Sequence, residues 1–426
     1  MIDALYFCHI QKTAGTSVLA LLDRYFAATD ICPQQLWSGL AALPLRERQQ
    51  YRLYAGHFGA GGMRALIGRD LPMMTFLREP AALARSTYLH LLRESDHRFV
   101  GALKSTHSAH EFLSDPRVRG VFRSRQCASL SFDVERDPCA ERVFFSNQAL
   151  TLASDYAARS NSIVSDDQRL KRARAVLEQT AFFGLVERMP ESLALLAHTF
   201  CLPHPGGLER LREAPPQKID FSRFDALAAE GNAHDQTLYA FATELFEQRL
   251  ARMHVDLKRF RPHALKPWTW HRRKEPSAAL DARFAAENKS PAQASLDFAG
   301  PVFAANLHRR EGFAAGGCFR WTGPSSDPVF WIKPERAIRT LAVTVIDAAS
   351  DQHVIDTTAS TNHVPATVVA SGSRPWQLTI SPSRALAAKR WHRIALHTPP
   401  ALAHRAHHAG SRDERRVALA IGEVSF

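Results

Sequence analysis

The sequence predicts an α/β protein in which a parallel sheet flanked by helices is followed by a smaller all-β sandwich. Three observations predict it. Two apolar runs, residues 4–10 and 72–77, each end in a tight turn and pass into a stretch with helical spacing. A third run, residues 181–186, leads into another amphipathic stretch. From about residue 296 onward, short apolar runs alternate with turn residues, the pattern of antiparallel strands.

The first run is followed by Gln11-Lys12-Thr13-Ala14-Gly15, then by Val18, Leu19, Leu21, Leu22 and Tyr25 at helical spacing over residues 16–26. The second run ends in Arg78-Glu79-Pro80, with Pro80 at the first position of a helix that carries Leu83, Tyr88, Leu91 and Leu92. Units of this kind place ligands at the carboxyl ends of parallel strands. Residues 96–145 read as short helices and loops. Helices are expected over 166–179, 191–200 and 236–253. Residues 262–291, rich in Pro, Lys, Arg and Ala, read as a linker with a short helix at 277–287. Strands are expected at 329–332, 340–346, 376–380, 393–397 and 417–426.

The chain has 426 residues, 45% of them hydrophobic, enough for more than one core. Its formal charge of +12 favours anionic partners without choosing among nucleotides, acidic glycans, nucleic acid and membrane surfaces. The six cysteines form no CxxC pair, which fits a reducing cytoplasm. No apolar run reaches the ~18 residues of a membrane span.

The segment Phe7-Cys8-His9-Ile10-Gln11-Lys12-Thr13-Ala14-Gly15-Thr16-Ser17 carries most of the chemistry. A helix opening after a small-residue turn presents main-chain N–H groups and a positive dipole end to an anion. Lys12 adds a point charge, and Thr13, Thr16 and Ser17 add hydroxyls. The order is not that of the GxxxxGK[ST] loop, because the lysine precedes the glycine. The segment resembles the phosphosulfate loop, FxHIPKTAGTS, of the carbohydrate sulfotransferase family that includes the uronosyl 2-O-sulfotransferases, with Gln11 in place of the proline. Thr75-Phe76-Leu77-Arg78-Glu79-Pro80 with Ser86 and Tyr88 resembles the same family's 3′-phosphate motif. Leu83 stands where that motif has a second arginine, and Arg85 lies two positions on.

The resemblance implies a P-loop-like three-layer fold for a sulfotransferase domain over residues 1–261, with the linker 262–291 and a β-sandwich accessory domain at 292–426. It implies the donor 3′-phosphoadenosine 5′-phosphosulfate and no metal. Lys12, Thr13, Ala14, Gly15, Thr16 and Ser17 would hold the 5′-phosphosulfate, and Arg78 and Ser86 the 3′-phosphate. Leu53-Tyr54-Ala55-Gly56-His57 is similar to a YHGH segment that supplies the family's general base. His57 takes its last position, and Ala55 stands where that segment carries a further histidine. Ser124-Arg125-Gln126-Cys127-Ala128-Ser129-Leu130 resembles the family's NxQTRxLS segment, and residues 182–193 resemble its FVGLTERFDESL signature, with Gly184 and Glu187 read as shaping the fold.

These resemblances imply a bacterial, cytoplasmic enzyme that transfers a sulfuryl group to a hydroxyl of a carbohydrate or glycoconjugate. The expected partner is a glycan rather than nucleic acid, with peripheral membrane contact and oligomeric state left open. Two other classes stay open: a nucleotide-dependent kinase or phosphotransferase, and a glycan-binding protein with a degenerate transferase domain. Arg46, Arg48, Arg52, Arg64 and Arg69 read as a solvated basic face, and residues 404–408 as a loop rather than a metal site. Trp321, Trp331 and Trp376 read as core residues of the β-region.

Overall fold

The computed structural model describes residues 2–93, 100–116, 118, 122–133, 164–208, 219–260, 276–312, 317–325, 327–404, 413 and 415–426. Four short strands form the first sheet: β1 (Leu5–Cys8), β2 (Leu53–Gly56), β3 (Met73–Leu77) and β4 (Phe182–Leu185), in the order β2-β1-β3-β4. All neighbours are parallel, with Phe7 opposite Ala55 and Met74, and Met74 opposite Phe182.

Alternate residues of β1 enter different cores, because side chains in a strand point to opposite faces. Leu5 and Phe7 join one buried cluster, and Tyr6 and Cys8 join another. The first cluster is filled by α1 (Gly15–Leu22), α4 (Asp166–Gln179), α5 (Met189–Thr199) and α7 (Ala233–Leu257). The second takes Leu40, Met63, Leu66 and Ile67 from short helices on the other face. Burial on both faces explains why β1, β3 and β4 read as continuous apolar runs. Between them the chain adds α2 (Pro80–Arg93), α3 (Arg125–Ser131) and α6 (Ser222–Gly231).

Helix α8 (Pro276–Glu287) takes up most of the described part of the expected linker, residues 276–291. Its Ala279, Leu280 and Phe284 lie in the first cluster beside Phe303, Trp331 and Trp391 of the β-rich part. The two regions therefore share apolar core through this helix.

The β-rich part contains β5 (Ser295–Asp297), β6 (Ala304–Ala305), β7 (Glu311–Gly312), β8 (Cys318–Trp321), β9 (Val329–Ile332), β10 (Leu341–Ala348) and β11 (Thr358–Thr361). It continues with β12 (Val364–Ser371), β13 (Trp376–Ser381), β14 (His392–His397), β15 (Leu402–Ala403), β16 (Arg416–Val417) and β17 (Leu419–Ser425). Eleven of these strands form one antiparallel sheet, in the order β6-β9-β14-β11-β12-β13-β10-β17-β8-β7, with β5 on β17. β12 is the corner: residues 364–366 pair with β11, and residues 367–371 pair with β13. Phe330 and Ile394 from one end of the order meet Val343, Leu378 and Ile421 from the other in one cluster. The sheet thus folds over onto itself, as strands that switch layers require. Trp321 and Trp331 are buried, while Trp376 is half-buried under Arg374. Among the described residues no helix is long and apolar enough to cross a membrane.

A polar joint ties the sheet region to α1. Asp23, directly after α1, pairs with the fully buried Arg320 at 2.7 Å and with Arg310 at 3.5 Å. Arg310 also donates to the carbonyls of Asp23 and Phe26. Burial pushes the Asp23 carboxyl up, but the two guanidiniums outweigh it and hold the group below the usual carboxylate range.

Candidate functional site

The turn between β1 and α1 is built on strained backbone. Lys12 and Ala14 have φ of 67° and 63°, in the left-handed region that few residues other than glycine favour. Left-handed residues placed between others gather successive N–H groups into an anion-binding concavity. The Thr13 hydroxyl donates to the Ile10 carbonyl at 2.7 Å and closes the turn. Thr13 is fully buried and its hydroxyl is engaged within the turn. Ser17 is buried, and Lys12 and Thr16 are half-buried. A Cβ on Gly15 would lie 1.8 Å from His9 Nε2, so any larger residue there must displace the His9 ring.

His57 reaches this turn from the end of β2. Its Nδ1–H donates to the His9 carbonyl at 2.6 Å, and the two imidazole rings lie 4.5 Å apart. A carbonyl only accepts, so the proton of the neutral ring is on Nδ1 and the lone pair on Nε2. Burial lowers the His57 pKa, the bond to His9 raises it, and Arg125 lowers it, with a net fall below 6.5. His9 is pushed further down, to about 3, by burial, by His57 and by Lys12. Its buried Nδ1 has no hydrogen-bond partner, and its ring stacks on Phe7.

Arg78 comes from the end of β3. Its main chain is clamped by one side-chain amide: Arg78 N donates to Gln126 Oε1 at 2.9 Å, and Gln126 Nε2 donates to the Arg78 carbonyl at 2.8 Å. The guanidinium donates to the Lys12 carbonyl at 3.0 Å and faces Glu187 at 3.8 Å. Ser86 is half-buried on α2 and makes no hydrogen bond among the described residues. Glu79 accepts from the N–H groups of Ala81 and Ala82 and starts α2. Arg85 pairs with Asp225 of α6 at 2.9 Å.

Arg125 also belongs to this constellation. It donates to Gln11 Oε1 in the turn and to Thr87 Oγ1 at 3.2 Å. Helix α3, which carries it, is anchored by Asp235, which accepts from the N–H groups of Gln126 and Cys127 at 2.9 and 2.8 Å. Asn232 accepts from Ser124 N at 2.8 Å. The structure therefore gathers Lys12, Arg78, Arg125 and His57 around one turn. Arg125 and Gln126 lay in a segment singled out by resemblance but were not among the expected site residues. Asp235, more than a hundred residues from the groups it holds, left no local signal.

Glu187 accepts from Tyr239 at 2.7 Å and steadies Arg78, so it bears on the site as well as on the fold. A Cβ at Gly184 would lie 2.4 Å from the Phe76 ring, a packing reason for glycine there. Four of the five arginines read as a basic face bind groups of their own region. Arg48 and Arg69 donate to main-chain carbonyls, Arg52 pairs with Asp30, and Arg64 pairs with Asp70. Of the expected loop at 404–408, only His404 lies within the described residues. No protein-family model matches the chain, and no curated protein matches it.

Proposed function

We propose that the chain is a sulfotransferase of P-loop-like fold that moves a sulfuryl group from 3′-phosphoadenosine 5′-phosphosulfate to a hydroxyl of a carbohydrate or glycoconjugate. The observation that carries the reading is the meeting, at one strained turn, of three cations with a histidine whose Nε2 is a proton acceptor. The left-handed turn and its cationic surroundings suit a phosphosulfate. The guanidinium of Arg78, with the uncommitted Ser86 hydroxyl, suits a phosphate dianion.

When bound, the donor supplies the sulfuryl group: a bond forms from the acceptor oxygen to sulfur as the bond from sulfur to the phosphate oxygen breaks. His57 Nε2 takes the proton of the acceptor hydroxyl. Lys12 offsets the negative charge left on the phosphate oxygen, with the N–H groups opening α1. Arg125 positions the turn through Gln11. The residues work by placement and by charge already in position, the terms that dominate such transfers.

The test is transfer of radiolabelled sulfuryl from the donor to a panel of polysaccharides. His57→Ala is expected to bind donor normally and to lose about 10²–10⁴-fold in transfer. Transfer at the wild-type rate would remove His57 from the mechanism, and no transfer to any acceptor by the wild type would count against the enzyme reading.

A further inference from the structure

A cleft of about 580 Å³ opens where the end of α8 meets the loops beside β9 and β14, and it shares no residue with the turn at β1. Asn288, Lys289, Lys333, Lys389, Arg390 and Trp391 line it, with two alanines of α8, and no carboxylate is among the lining residues. Its inner wall is fixed. Trp391 Nε1 donates to the Asn288 carbonyl at 3.1 Å, and Lys333 donates to the Ser290 carbonyl at 2.8 Å while lying 5.6 Å from the Trp391 ring. Trp391 is only 8% exposed and packs on Phe284 and Phe303.

The rim differs. Lys289, Lys389 and Arg390 are exposed, and none pairs with a carboxylate among the described residues. Lys389 has φ of 56°, a conformation costly for lysine, and its N–H is held by the Pro334 carbonyl at 2.7 Å. Like charges gathered at a concave surface repel one another and focus a positive field into the hollow. The volume falls within the range of small-ligand sites. Trp391 lines the inner wall but is only 8% exposed and has Lys333 beside its ring, so it leaves little face for stacking bases and recognition here runs mainly through charge.

We propose that this cleft binds a segment of anionic glycan, a chain bearing carboxylate or sulfate groups on a sugar frame. Naming that glycan as the acceptor or its sulfated product rests on the sulfotransferase reading; the binding itself does not.

The test uses the full chain and a heparin-derived hexasaccharide, with affinity measured by calorimetry. The triple variant Lys289→Ser, Lys389→Ser and Arg390→Ser is compared with Arg46→Ser, Arg223→Ser and Arg252→Ser, which remove the same charge from exposed positions outside the cleft. Wild type is expected to bind saturably, the cleft variant to lose about tenfold or more, and the control variant to lose less than about threefold. Equal losses in both variants, or no binding by the wild type, overturn the proposal. Tighter binding of a single-stranded DNA of equal charge through the same three residues overturns the choice of glycan. Retained thermal melting and retained binding of 3′-phosphoadenosine 5′-phosphate show that the cleft variant is folded. If wild type binds the hexasaccharide through the cleft but not that nucleotide, the sulfotransferase reading falls and the cleft proposal stands.

Discussion

At His57 the proposed chemistry turns on which ring nitrogen carries the proton, and the His9 carbonyl decides that by accepting from Nδ1 at 2.6 Å. The neighbouring His9 ring is locked between Phe7 and Gly15 with its Nδ1 unpartnered, so it folds neutral. That gives a pH dependence of known sign. The folded pKa of His9 is depressed, to about 3, from 6.5. The unfolded chain therefore binds the proton first as pH falls below 6.5, and stability present above that value is lost on the way toward the folded pKa. Replacing His9→Gln is expected to flatten the acid side of the stability curve by roughly 1–3 kcal/mol, measured by denaturant unfolding at neutral and mildly acid pH. An unchanged acid slope would show that another group sets it. The motif was legible in sequence, as were Lys12, His57 and Arg78. The His9–His57 ring contact was not, because it depends on β1 and β2 lying side by side in parallel.

Among the elements, legibility followed local patterning rather than burial: β2 is buried at every residue and went unread. Residues 166–179 read as a helix with the bounds found, and the structure starts it with a capping box of Ser165 and Gln168. The expected strands at residues 4–10, 72–77 and 181–186 appear as β1, β3 and β4, each shorter than its apolar run. β2 went unread: Leu-Tyr-Ala-Gly has no strand signature of its own, and its pairing with β1 defines it. β12, largely exposed, lacked the apolar alternation that marked its neighbours. The joint at the end of α1 left no trace in sequence, since Asp23 and Arg320 lie 297 residues apart. Asp23→Ala leaves the buried Arg320 without its carboxylate, and a loss of about 3–5 kcal/mol in unfolding free energy is expected. A loss within about 0.5 kcal/mol of zero would mean that Arg310 and Arg320 are held by main-chain carbonyls alone.

For the molecule as a whole, helix α8 follows the change of composition near residue 261 and the antiparallel strands begin only at β5, and no local signal told how the regions meet. Helix α8 lies inside the stretch expected as a linker, and its Phe284 sits at 4.9 Å from Phe303 and 4.8 Å from Trp391. Three aromatic residues from two regions make one core, so the β-rich part is fixed relative to the sheet that carries the turn. The excess of positive charge was legible as a count but not as a place. Part of it converges on the turn, part rims the cleft by α8, and part is bound to carbonyls. The proposed grip of the turn after β1 on a phosphosulfate nucleotide is tested by calorimetric titration with 3′-phosphoadenosine 5′-phosphate. The wild type is expected to bind saturably and more tightly than it binds ATP with Mg²⁺, and Lys12→Ala to weaken that binding by about tenfold or more. No binding of 3′-phosphoadenosine 5′-phosphate, or equal binding by the Lys12 variant, would rule out that grip.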